Sequence, residues 1–179
     1  MRSLEERLHR DAGGVHAAQP VEPGQPLRLL DAVVRAEWVD YNRHMSDFRY
    51  SQLFGDAIDA LFRQVGVDES YRATGRMYYT VENHVKHLGE AKAGEMLYVT
   101  AHVLEVDDKR LRLFLRVHRG RDDKQIATAE QMYLHVDTVA AKAAPADGKV
   151  REKLQTIARA HAKLPAPPEA GRPVGRARH

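Results

Sequence analysis

Cysteine is absent from all 179 residues. That excludes a disulfide framework, thiolate metal sites and a cysteine nucleophile, and it fits a cytoplasmic protein. Long apolar runs are absent too, since no stretch approaches the roughly 20 residues that cross a bilayer. The segment Met1 to Arg10 is charged throughout and has no apolar h-region, so a secretory signal is not expected. A strong charge of one sign is also missing. The 28 Lys and Arg against 25 Asp and Glu leave +3, too little to imply nucleic acid. Neither nucleic acid nor membrane is therefore an expected partner. Metal motifs are missing as well. There is no HExxH, and on a strand His84-x-x-His87 would aim its rings at opposite faces. Gly13-Gly14 and the Gly171 to Gly175 stretch lack the strand-to-helix setting of a phosphate loop and read as linkers.

What is present is 43% hydrophobic residues, enough for one domain with appended ends. Residues 1–26 read as an arm punctuated by Gly13-Gly14, Pro20, Pro23 and Pro26. Residues 27–138 carry the globular pattern, and 139–179 a C-terminal helix with a basic tail. Leu27 to Val34 reads as a first strand. Tyr50, Leu53, Phe54, Ala57, Ile58, Leu61, Phe62 and Val65 recur at helical spacing, and Gly66 is placed to end that helix. Strands follow over Met77 to Leu88, Met96 to Val106, Arg110 to His118 and Gln125 to Val136, with turns at Asp107-Asp108 and Gly120 to Asp123. Ala140 to Pro145 reads as a spacer. Val150, Leu154, Ile157 and His161 predict a last helix before the proline cluster. One long helix and a five-stranded antiparallel sheet make an α+β layer architecture. A single helix covers one sheet face, so the other needs the C-terminal helix or a second subunit.

The run Glu37-Trp38-Val39-Asp40-Tyr41-Asn42-Arg43-His44-Met45-Ser46-Asp47 stands between first strand and long helix. Asp40 is the candidate base or nucleophile, because a carboxylate can deprotonate water or attack a carbonyl itself. The residues do not separate the two routes. Backbone N–H groups around Ser46, Asp47 and Phe48 would lie at the helix start, where N–H groups lack internal partners and can hold a developing oxyanion. Asn42 and His44 could hold water or orient Asp40. Against this stands a plain reading, in which Asp, Asn and Ser before a helix are turn and cap residues and Asp47 favours the dipole.

This order of elements resembles the hotdog-fold acyl-CoA thioesterases, of the 4-hydroxybenzoyl-CoA thioesterase-like branch, in which Asp40 and Tyr50 fall in register. It is similar in more detail to the group that acts on betainyl-CoA in bacterial carnitine breakdown. That likeness rests on Glu37 to Asn42, His44-Met45, Tyr79-Thr80-Val81-Glu82, Glu130-Gln131-Met132, Ala160 to Pro165 and Gly171-Arg172. It covers residues 27 to 172. Two positions depart from the pattern: Arg43 stands where glycine is usual and Ser46 where asparagine is usual. A positive φ at Arg43 would cost roughly 1 kcal/mol.

The resemblance implies a single hotdog domain, a long helix wrapped by a five-stranded antiparallel sheet with an added C-terminal helix. It implies hydrolysis of an acyl-CoA thioester with no cofactor, coenzyme A being part of the substrate. Asp40 would be catalytic, with Asn42, His44 and Asp47 in support. A homodimer is expected, or a dimer of dimers. Thr80 and Glu82, on one strand face, would complete the site across the interface, with Tyr79 and Val81 on the other face. Trp38, Tyr41, Phe48, Tyr79, Thr80 and Glu82 would line the acyl pocket, and aromatic and acidic groups suit a trimethylammonium group. Lys86, Lys92, Arg110 and Arg112 would meet the CoA phosphates. Each of these also has an ordinary reading as core, lid or solvated sheet residue.

Two other functions fit the same fold. Hotdog enoyl-CoA hydratases carry a motif resembling Asp-x-Asn-x-x-His, and Asp40, Asn42 and His44 are one residue short of it. A non-enzymatic acyl-CoA-binding module would not need Asp40.

Overall fold

The structure, a computed structural model, describes residues 24–175. The expected arm therefore lies outside the described residues except for 24–26, as does the end of the basic tail, 176–179. Six strands form one sheet: β1 (Leu27–Val33), β2 (Arg76–His87), β3 (Met96–Val106), β4 (Arg110–Arg119), β5 (Lys124–Asp137) and β6 (Lys142–Ala143). The helices are α1 (Asp47–Val65), α2 (Glu69–Ala73) and α3 (Gly148–His161), with one 3-10 turn at Ala36–Trp38. The strand order is β1-β3-β4-β5-β2, every pairing is antiparallel, and β6 pairs with β5.

The two-residue alternation of β4 sets the layers. Leu111, Leu113, Leu115 and Val117 turn inward and join Leu53, Phe54, Ala57, Ile58 and Leu61 of α1 in one core. The apolar stripe thus makes α1 the inner layer of the expected α+β fold. Gly66 ends it at φ 102°, and the Val67 N–H donates to the Phe62 carbonyl at 2.8 Å, a left-handed stop that glycine adopts without strain. Helix α3 extends this same core through Val150, Leu154 and Ile157. It lies against β3, whose residues after Ala101 have no β1 partner.

Part of the outer face is covered from within the chain. Phe114 is buried yet outside the main core, with Arg116 over its ring. The segment after α3 reaches this face, where its Gly171 N–H donates to Glu130 Oε2 at 2.6 Å. This part of the cover comes from the residues after the C-terminal helix and not from the helix itself. Three small elements were also unexpected. Strand β6 falls inside the spacer from Ala140 to Pro145 and makes the sheet six-stranded rather than five-stranded. Asp68 caps α2 by accepting the Tyr71 N–H at 3.0 Å. The 3-10 turn holds Trp38 beneath the polar loop.

One edge of the sheet is β2, a 12-residue strand with Tyr79 and Val81 exposed. Its register shifts between Thr80 and Glu82, where the partners are the consecutive residues Tyr133 and Met132. Val81 is therefore a bulge.

Candidate active site

The polar loop is a small hairpin. Val39 and Met45 form an antiparallel bridge, and the Asp40 N–H donates to the His44 carbonyl at 3.0 Å. The Arg43 N–H returns to the Asp40 carbonyl at 3.0 Å, closing a four-residue turn with Arg43 at φ 63°. Arg43 thus takes the left-handed conformation that the usual glycine would adopt freely. Inside the turn, Asp40 Oδ1 accepts the Asn42 N–H at 2.8 Å. That bond fixes the carboxylate and leaves Oδ2 without a protein partner among the described residues. Asn42 acts here through its backbone, since its side chain is exposed.

Asp40 precedes the first helical residue by a full hairpin arm, so it is a turn residue rather than a helix cap. Ser46 occupies the N-cap position but makes no side-chain cap bond. The Ser46 N–H is taken by the Trp38 carbonyl at 2.9 Å. This narrows the expected oxyanion donors to Asp47 and Phe48. The Phe48 N–H is held by Asp47 Oδ1 at 2.7 Å, while the Asp47 N–H has no partner among the described residues.

A second loop, between β2 and β3, supports the first. The Ala91 carbonyl accepts the Met45 N–H at 2.8 Å, and His44 Nε2 lies 3.1 Å from Glu90 Oε2. The Tyr50 hydroxyl donates to the Gly89 carbonyl at 3.3 Å. Burial, and then the charge of Glu90, push the Tyr50 phenol up to about 12, so it stays a donor at neutral pH. No local signal marks Gly89, Glu90 and Ala91 as site residues. They lie on an unremarkable loop and meet the site only through tertiary packing.

The expected pocket residues separate. Trp38 is 2% exposed and belongs to the core, and the guanidinium groups of Arg35 and Arg49 lie over its ring at 5.8 and 5.6 Å. It supports the loop from beneath and does not line an open pocket. Tyr41, Phe48 and Tyr79 are exposed. The bulge at Val81 overturns the shared face expected for Thr80 and Glu82. Thr80 stands opposite Tyr133, whose ring packs on Phe62 of α1, so it faces inward. Glu82 stands opposite Met132 and lines an outer cleft of about 390 Å³ with Glu130, Arg112 and Arg172.

The basic residues separate too. Lys92 follows Ala91, and Lys86 is near the end of β2, both beside the loop that holds Met45. Arg110 lies beyond the far end of β3 and pairs with Asp107 at 3.5 Å. The 11 residues of β3 put roughly 35 Å between its ends. Arg112 is held by Glu130 on the outer face, its Nε donating at 2.7 Å. Arg110 and Arg112 therefore do not border the Asp40 loop of their own chain.

Comparison with known proteins places this geometry in a family. A Rhizobium meliloti protein named L-carnitine dehydrogenase/betainyl-CoA thioesterase is 50% identical over 98% of this chain, which spans 35% of that protein's length. A Pseudomonas aeruginosa protein named betainyl-CoA thioesterase is 36% identical over 84% of this chain and 96% of its own length. Among solved structures, a Staphylococcus aureus protein in complex with CoA matches the fold with TM-score 0.80 and 21% identity, over 89% of this chain and all of that one. A Pseudomonas putida protein described as a candidate thioesterase matches with TM-score 0.74 and 31% identity, over 86% of this chain and 99% of its own. The pattern that defines the thioesterase-like superfamily matches residues 34–154, from the end of the first strand through the hairpin and sheet into α3, and the chain belongs to that superfamily.

Proposed function

We propose that the chain hydrolyses the thioester of an acyl-CoA, with betainyl-CoA as its substrate. The observation that carries this reading is Asp40, its Oδ1 fixed by the Asn42 N–H and its hairpin leading into the start of α1. The thioester oxygen would take the Asp47 and Phe48 N–H groups, where the helix N-terminus stabilises negative charge. Asp40 Oδ2 then takes a proton from the water that adds to the carbonyl carbon. As the tetrahedral intermediate collapses, the C–S bond breaks and the proton passes to the CoA sulfur. A second route uses the same oxygen as nucleophile, through an anhydride that water opens. Single turnover in ¹⁸O-water detects the second route, because label appears in Asp40 only when water opens the anhydride at the Asp40 carbonyl. Neither route needs a cofactor. The names of the relatives support a betainyl acyl group, and the exposed Tyr41, Phe48 and Tyr79 are the aromatic surfaces open to a trimethylammonium group. Lys86 and Lys92 are the candidates for the CoA phosphates.

The β2 edge, which has no further strand beside it among the described residues, supports a homodimer, because an exposed 12-residue edge with Tyr79 and Val81 on it invites strand pairing with a second copy. A dimer of dimers would bury the outer faces in addition. No described helix is long and apolar enough to cross a membrane. With no cysteine in the chain, we place the protein in the cytoplasm. The test is release of free CoA from betainyl-CoA and from a panel of other acyl-CoA thioesters. Hydration of crotonyl-CoA without CoA release would favour the hydratase. Tight binding without turnover would favour the binding module.

A further inference from the structure

We infer that Asp47 is a gate on the oxyanion donors that opens for cationic acyl groups. The inference rests on the thioesterase reading above. Asp47 Oδ1 already occupies the Phe48 N–H at 2.7 Å, so a thioester oxygen reaching that donor must displace a carboxylate. Asp47 has no ion-pair partner among the described residues. The nearby Arg49 is engaged elsewhere, donating to Gln52 at 2.7 Å and lying over the Phe48 ring at 4.8 Å. The exposed carboxylate therefore has one backbone amide as its partner, at a position where a bound acyl-CoA would exclude water.

Displacement by a neutral acyl group leaves that carboxylate desolvated and unpaired, which opposes binding. A betainyl group carries its quaternary nitrogen one methylene from the carbonyl carbon, about 3 Å from the carbonyl oxygen. The oxygen that takes the Phe48 N–H thus brings a positive charge to the carboxylate it displaces, and attraction offsets the lost hydrogen bond. Neutral acyl groups meet a covered donor, and cationic ones uncover it. Selectivity then comes from a penalty against the wrong substrate as much as from affinity for the right one. The gate moves no proton and forms no bond.

The experiment compares wild type, Asp47→Asn and Asp47→Ala on betainyl-CoA and on its neutral carbon isostere, tert-butylacetyl-CoA. Wild type should prefer the cation in kcat/KM by about tenfold or more. Asp47→Ala should lower kcat/KM for betainyl-CoA by about tenfold and raise it for the isostere. A carboxylate that only stabilises the helix would lower both rates in the same proportion. An unchanged ratio in Asp47→Ala overturns the gate while leaving betainyl-CoA hydrolysis intact. Failure of wild type on both thioesters would overturn the hydrolase reading and the gate with it. A readout without turnover is the Phe48 amide proton in the NMR spectrum. It should move upfield in Asp47→Ala as its carboxylate bond is lost, and an unmoved resonance overturns the gate.

Discussion

The imidazole of His161 accepts the backbone N–H of Val103 through Nδ1 at 2.8 Å. Val103 lies on the part of β3 that β1 does not reach, so a side chain from α3 supplies the acceptor that a longer strand would have given. His161 is buried, with the His102 ring centroid 5.1 Å from its own. Burial, and then His102, push it down to about 4. The folded state therefore holds His161 neutral, while the unfolded chain protonates it near its ordinary value of 6.5.

The unfolded state thus binds more protons between about pH 6.5 and 4, so stability is full above that window and falls as pH drops through it. The His161 share is on the order of 3 kcal/mol. Burial lowers His102, His118 and His135 in the same direction. Urea midpoints measured from pH 7 to pH 4 should fall steadily in wild type. His161→Leu should be less stable at pH 7 by about 1–3 kcal/mol, because the Val103 N–H loses its acceptor, yet show a shallower fall with acid. An equal slope in the two proteins would refute the assignment.

Glu130 clamps two distant segments at once. It takes Arg112 Nε at 2.7 Å from β4 and the Gly171 N–H at 2.6 Å from the C-terminal segment. Glu130→Ala should destabilise the protein by about 2 kcal/mol, because Arg112 keeps its charge and loses its partner. Hydrogen exchange at the Gly171 amide should rise well beyond what global stability requires. Unchanged protection at Gly171 would show that the segment is held by other contacts.

Arg43 sits at φ 63°, which costs a non-glycine residue about 1 kcal/mol or more. Arg43→Gly removes that strain and adds entropy to the unfolded chain, so the net gain should stay below about 1 kcal/mol. The melting temperature should rise by roughly 1–3 °C. A fall in melting temperature would mean that the Arg43 side chain contributes more than its backbone costs.

Much of this was legible in the sequence because periodicity reports burial. Leu53, Phe54, Ala57, Ile58 and Leu61 gave α1 its inner stripe, and Leu111, Leu113 and Leu115 gave β4 its inward face. The start of α1 was legible from the polar run, which puts Ser46, Asp47 and Phe48 at the helix start, although the apolar period begins only at Tyr50. Asp40 stood out by its place before the helix. The bond that holds it comes from the backbone of Asn42, which no residue type announces. The bulge at Val81 left no trace, because that stretch of β2 is exposed on both faces and alternation has nothing to record. That one extra residue separated Thr80 from Glu82. Contacts across long sequence intervals, such as Met45 with Ala91 and Glu130 with Gly171, follow from the tertiary fold alone.

The most direct measurement of the central claim is CoA release from betainyl-CoA by wild type and Asp40→Asn, with folding of both checked by circular dichroism. The Asn42 N–H can still bond the carboxamide oxygen, so the turn should persist while the base is lost. Wild type should turn over, and Asp40→Asn should fall by roughly 10²–10⁴ in kcat with an unchanged spectrum. Turnover by Asp40→Asn within a few-fold of wild type would contradict the account.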